Sequence, residues 1–253
     1  MVEEALRSGL EIEALLVADS AERHLARLKA LLPPGLRVLR TSERLFDSVA
    51  GTETPQGLAL LLEAPSWRID EMLVATPLVV VLAGVQDPGN VGTIVRAAEA
   101  FGATGVIACR GSAHPLAPKS LRASAGSALR LPTLAGPSSD SILAHLRHHG
   151  VRQYAATLSG SGTPQDADMR GPSAFWIGSE GAGLPPEIEQ GADARIRIPT
   201  GAAVQSLNAA IAAAVLLYEA ARQRGQAEQS PERMGANKKE QSDQPAVAAP
   251  RGK

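Results

Sequence analysis

Short apolar segments alternate with polar ones over residues 1–65, and this pattern predicts a small α/β unit. The predicted helices cover residues 2–8, 21–32 and 42–49, and the predicted strands cover residues 14–18, 37–40 and 58–63. Pro33, Pro34 and Gly35 end the second helix, because proline and glycine interrupt a helical backbone. Residues 64–75 have no regular pattern and are expected to form a linker that ends at Pro77.

The alternation continues from residue 76 to residue 224 with longer apolar runs. Leu78 to Leu82 is continuously apolar, which is typical of a strand covered on both faces. Further strands are predicted at residues 105–108, 130–134, 153–157, 174–177 and 195–198, and helices at residues 90–101, 116–124, 139–148 and 206–222. Alternating strands and helices favour a parallel sheet, so the predicted fold class is α/β with a parallel-sheet second domain.

Composition excludes several classes of protein. No apolar run reaches the roughly 18 residues of a membrane span, and the first residues lack the pattern of a secretion signal. A cytoplasmic protein without a membrane partner is therefore expected. The net charge of −1 means that nucleic-acid binding would need a local basic patch. Residues 225–253 are polar and without periodicity, so a disordered tail is expected there.

Metal chemistry has little support in the sequence. The single cysteine, Cys109, excludes a site built from several thiolates. The five histidines show no ligand spacing with carboxylates, and the pair His148-His149 is expected at the solvated end of a helix. No metal cofactor is therefore expected.

Two loops, one rich in glycine and one with proline and glycine, are expected at the carboxyl ends of buried strands. The first loop, Gly178-Ser-Glu-Gly-Ala-Gly183, directly follows an apolar strand. Glycines there let the backbone approach a ligand, at the sheet edge where open α/β folds bind ligands. A simple tight turn is the alternative. The spacing differs from the dinucleotide fingerprint, which disfavours a nicotinamide cofactor.

The second loop leads into an alanine-rich helix. Ile198-Pro-Thr-Gly201 ends a predicted strand, and Ser206-Leu-Asn208 opens the helix. Ser206 is expected to be the N-cap of this helix. Asn208 lies in the first turn, where its amide group can donate and accept hydrogen bonds beside free backbone N–H groups.

A third polar group lies on the first predicted helix of the second domain. Asn90 is expected to cap this helix and Gly92 to allow close packing, while Arg96 lies near the same end. A guanidinium there can hold a phosphate or ribose oxygen with several donors. Glu180 is expected to position Arg96 or Asn90, and Glu99 to be a helix-surface partner of Arg96.

Three segments of the chain are Asn90-Val-Gly-Thr-Ile-Val-Arg96, Ile177-Gly-Ser-Glu-Gly-Ala-Gly183 and Ile198-Pro-Thr-Gly-Ala-Ala-Val-Gln-Ser-Leu-Asn208. In order and spacing they resemble the signature motifs of SpoU-type (TrmH-like) RNA ribose 2′-O-methyltransferases of the SPOUT superfamily. The resemblance covers residues 3–224. It implies S-adenosylmethionine as the methyl donor, a structured ribosomal or transfer RNA as the acceptor, and a homodimer.

The family resemblance also implies roles for individual residues. Loops that form a deep trefoil knot would hold the cofactor through backbone groups at Thr157, Gly178, Ile198 and Leu207. The catalytic residues would be Asn90, Arg96, Glu180, Ser206 and Asn208. Arg96 would act on the ribose 2′-hydroxyl, either as a base or as an orienting charge that stabilises the developing alkoxide.

RNA contacts are implied in two places. Residues 1–65 resemble the ribosomal-protein-like substrate-binding domain of this family, and relatives usually have a further helix and strand ahead of it. This domain is therefore expected to lack its first helix and strand. Lys119, Arg122 and Ser124 resemble a second RNA-contacting segment, with a solvated helix face as the alternative. Because aromatic residues make up only 3% of the chain, extensive base stacking is not expected.

Two other functions stay open at this point. A noncatalytic RNA-binding protein on the same fold is disfavoured by the joint presence of the five predicted catalytic residues. An oxidoreductase with a dinucleotide-binding domain is disfavoured because the glycine fingerprint and its ribose-binding acid are missing from the sequence.

Overall fold

Two β-sheets organise the chain in the computed structural model, which describes residues 1–50, 55–201 and 206–225. The predicted tail, residues 225–253, lies outside these ranges except for Gly225. Within them the longest helix has 15 residues, and no helix is both long and apolar enough to cross a membrane.

The smaller sheet has three strands in the order β2-β1-β3, with β1 parallel to β2 and antiparallel to β3. Its unit comprises α1 (Val2–Arg7), β1 (Ile12–Ala18), α2 (Glu22–Leu28), β2 (Arg37–Thr41), α3 (Glu43–Val49) and β3 (Leu58–Leu62). Only the central strand is well buried, through residues such as Leu15 and Val17. The helix predicted at residues 21–32 is shorter than expected, because a 3-10 turn flanks α2 at each end.

The larger sheet has six strands, all parallel, in the order β6-β5-β4-β8-β7-β9. The elements are α4 (Ile69–Met72), β4 (Leu78–Ala83), α5 (Pro88–Ala100), β5 (Gly105–Ala108), α6 (Pro118–Ala123), β6 (Thr133–Ala135), α7 (Ser139–His148), β7 (Arg152–Ala156), β8 (Ser173–Gly178), α8 (Pro186–Gly191), β9 (Ala194–Ile196) and α9 (Ala209–Gln223). The predicted parallel sheet is confirmed. The strand order reverses between β4 and β8, and open α/β sheets bind ligands at such a switch point.

A hydrophobic core lies on each face of the six-stranded sheet. In β4, Leu78, Val80 and Leu82 pack with residues of α5 and α9, whereas Val79 and Val81 pack with residues of α7 and α8. All five side chains are fully buried. A strand between two helical layers has no solvent-facing side, which explains its continuous apolar run.

Three element predictions need correction. The predicted linker contains α4, whose Met72 is buried so close to β5 that a Cβ at Gly105 would lie 2.5 Å from Met72 Cγ. Helix α8 has no counterpart among the predicted elements. The strand predicted at residues 130–134 begins only at Thr133, because Arg130 ends a 3-10 turn and Pro132 follows.

An ion-pair cluster connects α1 with the larger unit. Arg130 donates to both carboxylate oxygens of Glu99, at 2.7 and 2.9 Å, and to Glu4 Oε2 at 2.7 Å. We call Glu4, Glu99 and Arg130 the domain-contact cluster. The prediction that Glu99 pairs with Arg96 is therefore wrong, because Arg130 occupies both oxygens of this carboxylate.

The loops that follow β7 and β9 are packed tightly together. A Cβ at Gly160 would lie 2.6 Å from both Ile196 C and Arg197 N, and Arg197 N donates to Gly162 O at 2.9 Å. The chain then runs from β9 to α9 through a segment of which residues 202–205 lie outside the described residues. The trefoil knot concerns this segment and stays a prediction.

Candidate active site

A cavity of about 380 Å³ lies at the carboxyl ends of β7, β8 and β9. Its walls come from the loop after each of these strands and from the start of α9. All four residues predicted to bind the cofactor line it, namely Thr157, Gly178, Ile198 and Leu207. Ser206 and Glu180, two of the predicted catalytic residues, line it as well. The fold thus brings together segments that are 50 residues apart in sequence.

The loop after β8 owes its shape to glycine. A Cβ at Gly178 would lie 2.2 Å from the carbonyl carbon of Gly183, so any side chain would force the loop open. Ser179 and Gly183 exchange two backbone hydrogen bonds of 3.0 Å, and Gly183 adopts φ +71°. Glycine takes this conformation without steric strain. The loop is therefore a closed turn that also forms a wall of the cavity.

Asn90, Glu180 and Asn208 form a hydrogen-bonded cluster next to this loop, which we call the site cluster. Asn90 Nδ2 and Asn208 Nδ2 donate to Glu180 Oε1 at 2.6 and 2.7 Å. Asn208 Nδ2 also donates to Asn90 Oδ1 at 3.0 Å. Three predicted catalytic residues from α5, the β8 loop and α9 thus meet, as the prediction that Glu180 positions Asn90 requires.

The capping of α9 sets the orientation of the Asn208 amide. Its Oδ1 accepts hydrogen bonds from Ala210 N at 2.9 Å and Ile211 N at 3.3 Å. Since only the oxygen can accept, the NH₂ group must point towards Glu180. The N-cap is therefore Asn208, and the prediction that Ser206 caps this helix is wrong.

Helix α5 is also capped differently from the prediction. Asp87 is its N-cap and accepts from Asn90 N at 3.1 Å, so Asn90 lies inside the first turn and its side chain is free for the site cluster. Lys119 Nζ lies 2.7 Å from Asp87 Oδ1, and this hydrogen bond is the largest cause that lowers the pKa of Asp87. The cap is therefore an ionised carboxylate at the positive end of the helix dipole.

Gly92 and Arg96 lie further along α5. A Cβ at Gly92 would lie 2.2 Å from Ser120 O, which confirms that this glycine allows close packing, here against α6. Arg96 is exposed and lies six positions after Asn90, about 9 Å along the axis and nearer the other end of α5, so the expectation that it lies near the same end as Asn90 is wrong. With the described residues Arg96 makes no hydrogen bond or ion pair, so the structure does not bring it into the site cluster.

The residues predicted to contact RNA differ in accessibility. Lys119 and Arg122 are exposed on α6. Ser124 is fully buried, and its Oγ donates to Leu121 O at 2.9 Å. Its hydroxyl is therefore occupied within the fold and unavailable to an RNA phosphate, which corrects the expectation for this residue.

Sequence reasoning missed Glu189, which lines the cavity from α8. Its Oε1 accepts from Ser159 Oγ at 2.6 Å and from Thr157 Oγ1 at 3.1 Å. A carboxylate at this wall can bind hydroxyl groups of a ligand. The available signal was Pro185-Pro186-Glu187, because proline followed by acidic residues is typical of a helix start.

A second cavity, of about 700 Å³, lies on the other side of the β8 loop. Asn90 and Arg110 line it, and Glu180 lines both cavities. The site cluster therefore lies between two open cavities, one lined by the three strand-end loops and one bounded by the start of α5. Such a pair of spaces suits a reaction between two bound molecules.

Comparison with known proteins identifies the family. Residues 77–218 match the model of the SpoU rRNA Methylase family, and residues 1–60 match the model of the MRM3-like substrate binding domain. The chain belongs to the SpoU rRNA methylase family. The SpoU-type identity predicted from the three motifs is therefore confirmed.

Individual SpoU relatives match most of the chain. The 23S rRNA (guanosine(2553)-2′-O)-methyltransferase RlmP of Bacillus subtilis is 33% identical over 218 residues, which are 86% of this chain and 84% of that protein. The crystal structure of the SpoU methyltransferase AviRb from Streptomyces viridochromogenes in complex with AdoMet has a TM-score of 0.76 and 28% identity, and covers 88% of this chain and 87% of that one.

A third similar protein is an AdoMet-bound rRNA methyltransferase from Sinorhizobium meliloti, whose crystal structure is known. It aligns with a TM-score of 0.74 and 30% identity, over 88% of this chain and 85% of that one. The likeness thus extends over both sheets. The predicted fold class, an α/β SPOUT fold with a small N-terminal α/β unit, is confirmed.

Proposed function

We propose that this protein transfers the methyl group of S-adenosylmethionine to a ribose 2′-hydroxyl of structured RNA. One observation carries the proposal: the cavity formed by three strand-end loops lies directly beside the Asn90, Glu180 and Asn208 cluster. The names of the relatives support the same reaction, since they include a 2′-O-methyltransferase and methyltransferases bound to AdoMet.

The cavity fits a cofactor of the size of S-adenosylmethionine. A volume of about 380 Å³ is within the range of small-molecule sites. Apolar side chains such as Ile177 and Ile198 can cover the adenine, and Glu189 can accept hydrogen bonds from the cofactor's ribose hydroxyls. The absence of a Cβ at Gly178 keeps the loop backbone in place beside the ligand. The methyl group on the sulfonium is what the bound cofactor supplies.

The site cluster would organise the acceptor side of the reaction. Asn90 and Asn208 hold Glu180 in one position, and Ser206 lies on the cavity wall near them. Arg96 would join this group once RNA is bound. Its guanidinium would orient the 2′-hydroxyl and stabilise the negative charge on its oxygen while this oxygen takes the methyl group from the sulfonium sulfur and the hydroxyl proton passes to solvent. No metal is proposed for this step.

Structured RNA would bind across both units. Residues 1–60 match a substrate-binding domain model. Arg122 offers an exposed cation on α6, and Lys119, which is also exposed, would exchange its ion pair with Asp87 at the start of α5 for an RNA phosphate. We propose ribosomal RNA ahead of transfer RNA, because the RlmP relative acts on 23S rRNA, and we propose that the enzyme works in the cytoplasm, where such RNA is found.

We further propose a two-fold homodimer through α9. Its exposed face carries Ile211, Val215 and Tyr218, which are 53%, 37% and 51% exposed, and Phe101, directly after α5, packs edge-on against Tyr218. These residues lie at i, i+4 and i+7, so they form one stripe. An apolar stripe of this kind marks a protein contact. Sedimentation that shows a monomer at micromolar concentration would contradict the dimer.

Two measurements test the function. Mapping 2′-O-methylated nucleotides in total RNA with and without the gene should reveal at least one position that depends on it. An RNA with a single 2′-deoxy sugar at that position should then bind but accept no methyl group. Methylation of the deoxy RNA would mean that the acceptor is a base atom, and binding without any methylation of the natural RNA would favour a noncatalytic RNA-binding protein.

A further inference from the structure

Two histidines and an aspartate meet on the opposite side of the six-stranded sheet from α5 and α9. His145 and His149 are one turn apart at the end of α7, and Asp70 lies on α4 in the connector. One nitrogen of each imidazole and one oxygen of the carboxylate all lie within 4.8 Å of one another. Sequence reasoning missed this group because Asp70 is 75 residues from His145, although two histidines at i and i+4 were a visible signal.

The ring of His149 has its tautomer set by the helix. Its Nδ1 lies 2.9 Å from the carbonyl oxygen of His145. A carbonyl can only accept, so Nδ1 carries the proton and Nε2 keeps a lone pair. Metal-bound histidines usually donate their second ring N–H to such an oxygen, which orients the ring and makes the ligand nitrogen more basic.

The ring of His145 has an unsatisfied nitrogen close to Asp70. Its Nε2 is buried and has no hydrogen-bond partner among the described residues. Asp70 Oδ1 lies 3.8 Å away, which is too long for a hydrogen bond. Two ligand atoms of a tetrahedral Zn²⁺ lie about 3.4 Å apart, given bond lengths of about 2.0–2.1 Å. The observed spacing is therefore close to that of two ligands of one ion.

Asp70 can move, at little cost, the few tenths of an ångström by which its 3.8 Å separation from His145 Nε2 exceeds the spacing of two zinc ligands, and a larger shift would close the separation from His149, which is within 4.8 Å. Its side chain is 59% exposed, and its other contact is an ion pair of 3.4 Å with Arg68, whose side chain is 82% exposed. Exposed pairs of this kind contribute little stability. Imidazole and carboxylate ligands together suit borderline transition metals such as Zn²⁺ better than Mg²⁺ or Ca²⁺.

We propose that Asp70, His145 and His149 bind a divalent transition-metal cation of the Zn²⁺ class between α4 and α7. The ion would tie the connector to the helical layer of the larger unit, at the end of α7 that leads into the amino end of β7, whereas the candidate active site lies at the carboxyl ends of the strands. Three protein ligands leave a fourth position for water. The site is independent of the methyl-transfer function.

Calorimetric titration of the full chain, without a polyhistidine tag, with Zn²⁺ tests the site. The natural chain should bind one ion per molecule at micromolar concentration. His149→Ala and Asp70→Asn should each weaken this binding at least about tenfold, because changes in the shell around a metal typically cost 10–100-fold in affinity. His148→Ala is the matched control, since it removes a neighbouring imidazole that is not among the three ligands, and it should bind Zn²⁺ within about twofold of the natural chain.

Each result has one meaning. Loss of binding in both His149→Ala and Asp70→Asn, with His148→Ala unchanged, supports the site. Absence of saturable binding by the natural chain overturns it. Loss in His149→Ala with normal binding in Asp70→Asn also overturns it, because the ion would then be held by α7 alone. Zn²⁺ should raise the unfolding temperature of the natural chain and of His148→Ala but not of Asp70→Asn, which gives a second readout with folded protein.

Discussion

Helix α5 takes part in two polar clusters that differ in how their charge is balanced. At its carboxyl half, Glu99 belongs to the domain-contact cluster, in which one guanidinium donates to two carboxylates. At its amino end, Asn90 belongs to the site cluster, in which a single carboxylate, Glu180, accepts hydrogen bonds from two neutral amides and, among the residues that the structure describes, from no cation. The two clusters therefore share a helix and the same kind of long-range contact, but only one contains its own cation.

This difference separates a structural contact from a candidate reaction centre. Arg130 lowers the pKa of Glu99, chiefly through the hydrogen bonds that it donates to this carboxylate. That charge is neutralised within the folded chain and stabilises it. Glu180 is positioned without such neutralisation, so its negative charge remains available to a cationic group that arrives with the substrates. Substitutions should therefore change activity at one cluster and stability at the other.

The largest effect is expected at Arg96, the cation that we propose joins the site cluster with RNA. Arg96→Ala should lower methyl transfer by about two to three orders of magnitude, because losing a positioned donor removes roughly 3–4 kcal/mol of transition-state stabilisation. S-adenosylmethionine affinity should stay nearly unchanged. Arg96→Lys should recover only part of the rate, since it keeps the charge but loses the planar fork. Single-turnover methylation and cofactor titration measure the two effects.

The control for Arg96 is Arg170→Ala, which removes an exposed arginine whose ion-pair partner among the described residues is Asp168. It should leave both measurements within about twofold. A normal rate of methyl transfer by Arg96→Ala would mean that the site cluster acts without this cation. The charge of Glu180 would then not distinguish the site cluster from the domain-contact cluster.

A smaller effect, on cofactor affinity, is expected at Gly178, where the loop that carries Glu180 begins. Gly178→Ala places a Cβ 2.2 Å from Gly183 C, so the loop must shift and S-adenosylmethionine should bind about 10–100-fold more weakly. Gly171→Ala is the matched control just before the same strand, because its Cβ would meet nothing within 4 Å. Equal affinities in the two variants would show that the loop backbone does not hold the cofactor.

Asn208 has two roles that substitutions can distinguish: it caps α9, and its amide group positions Glu180. Asn208→Ala should reduce the free energy of unfolding by about 1 kcal/mol, because α9 loses its N-cap, and should slow methyl transfer about tenfold. Asn208→Ser can still cap the helix but cannot reach Glu180 with an amide, so it should keep the stability and lose the activity. Chemical denaturation and initial rates distinguish the two. Recovery of both by serine would mean that Asn208 serves only as a cap.

The smallest effect on activity is expected at the domain-contact cluster. Arg130→Met should lower the free energy of unfolding by about 1–2 kcal/mol at neutral pH and leave S-adenosylmethionine affinity unchanged. Because the folded pKa of Glu99 lies below its ordinary value of 4.5, the contact stabilises the protein fully above that pH and is lost as the pH falls through the folded pKa. Arg130→Met should therefore lose less stability than the natural chain between neutral and acidic pH.

Arg40→Met is the control for this stability measurement. It breaks an ion pair with Glu22 in which both side chains are more than half exposed, so it should change the free energy of unfolding by less than about 0.5 kcal/mol. A similar loss in Arg40→Met and Arg130→Met would show that the domain-contact cluster is an ordinary surface pair. The domain-contact cluster could then no longer be contrasted with the site cluster as a stabilising contact.

Much of the site could be predicted because its residues carry local backbone signals. The glycines of the β8 loop, the Pro and Gly after β9 and the polar residues that open α9 each mark a chain turn or a helix start. Ser206 and Asn208 show the limit of such signals, since both are good N-caps and only the observed hydrogen bonds from Ala210 and Ile211 select Asn208. The helix that carries Arg96 could be predicted as well, but the place of Arg96 nearer the carboxyl end of α5 came only from the structure, and its role stays a prediction.

By itself the sequence determined the alternation of elements, the two-sided burial of β4 and the family, because apolar periodicity and short motifs are properties of neighbouring residues. The tertiary structure alone decided which partners meet across long distances in the chain. Glu99 pairs with Arg130 and not with Arg96, Ser124 is turned into the core, and Asp70 reaches the histidines of α7. The physical reason is that hydrogen bonds and ion pairs form between groups a few ångströms apart in space, and packing of the two helical layers against the sheet sets that distance.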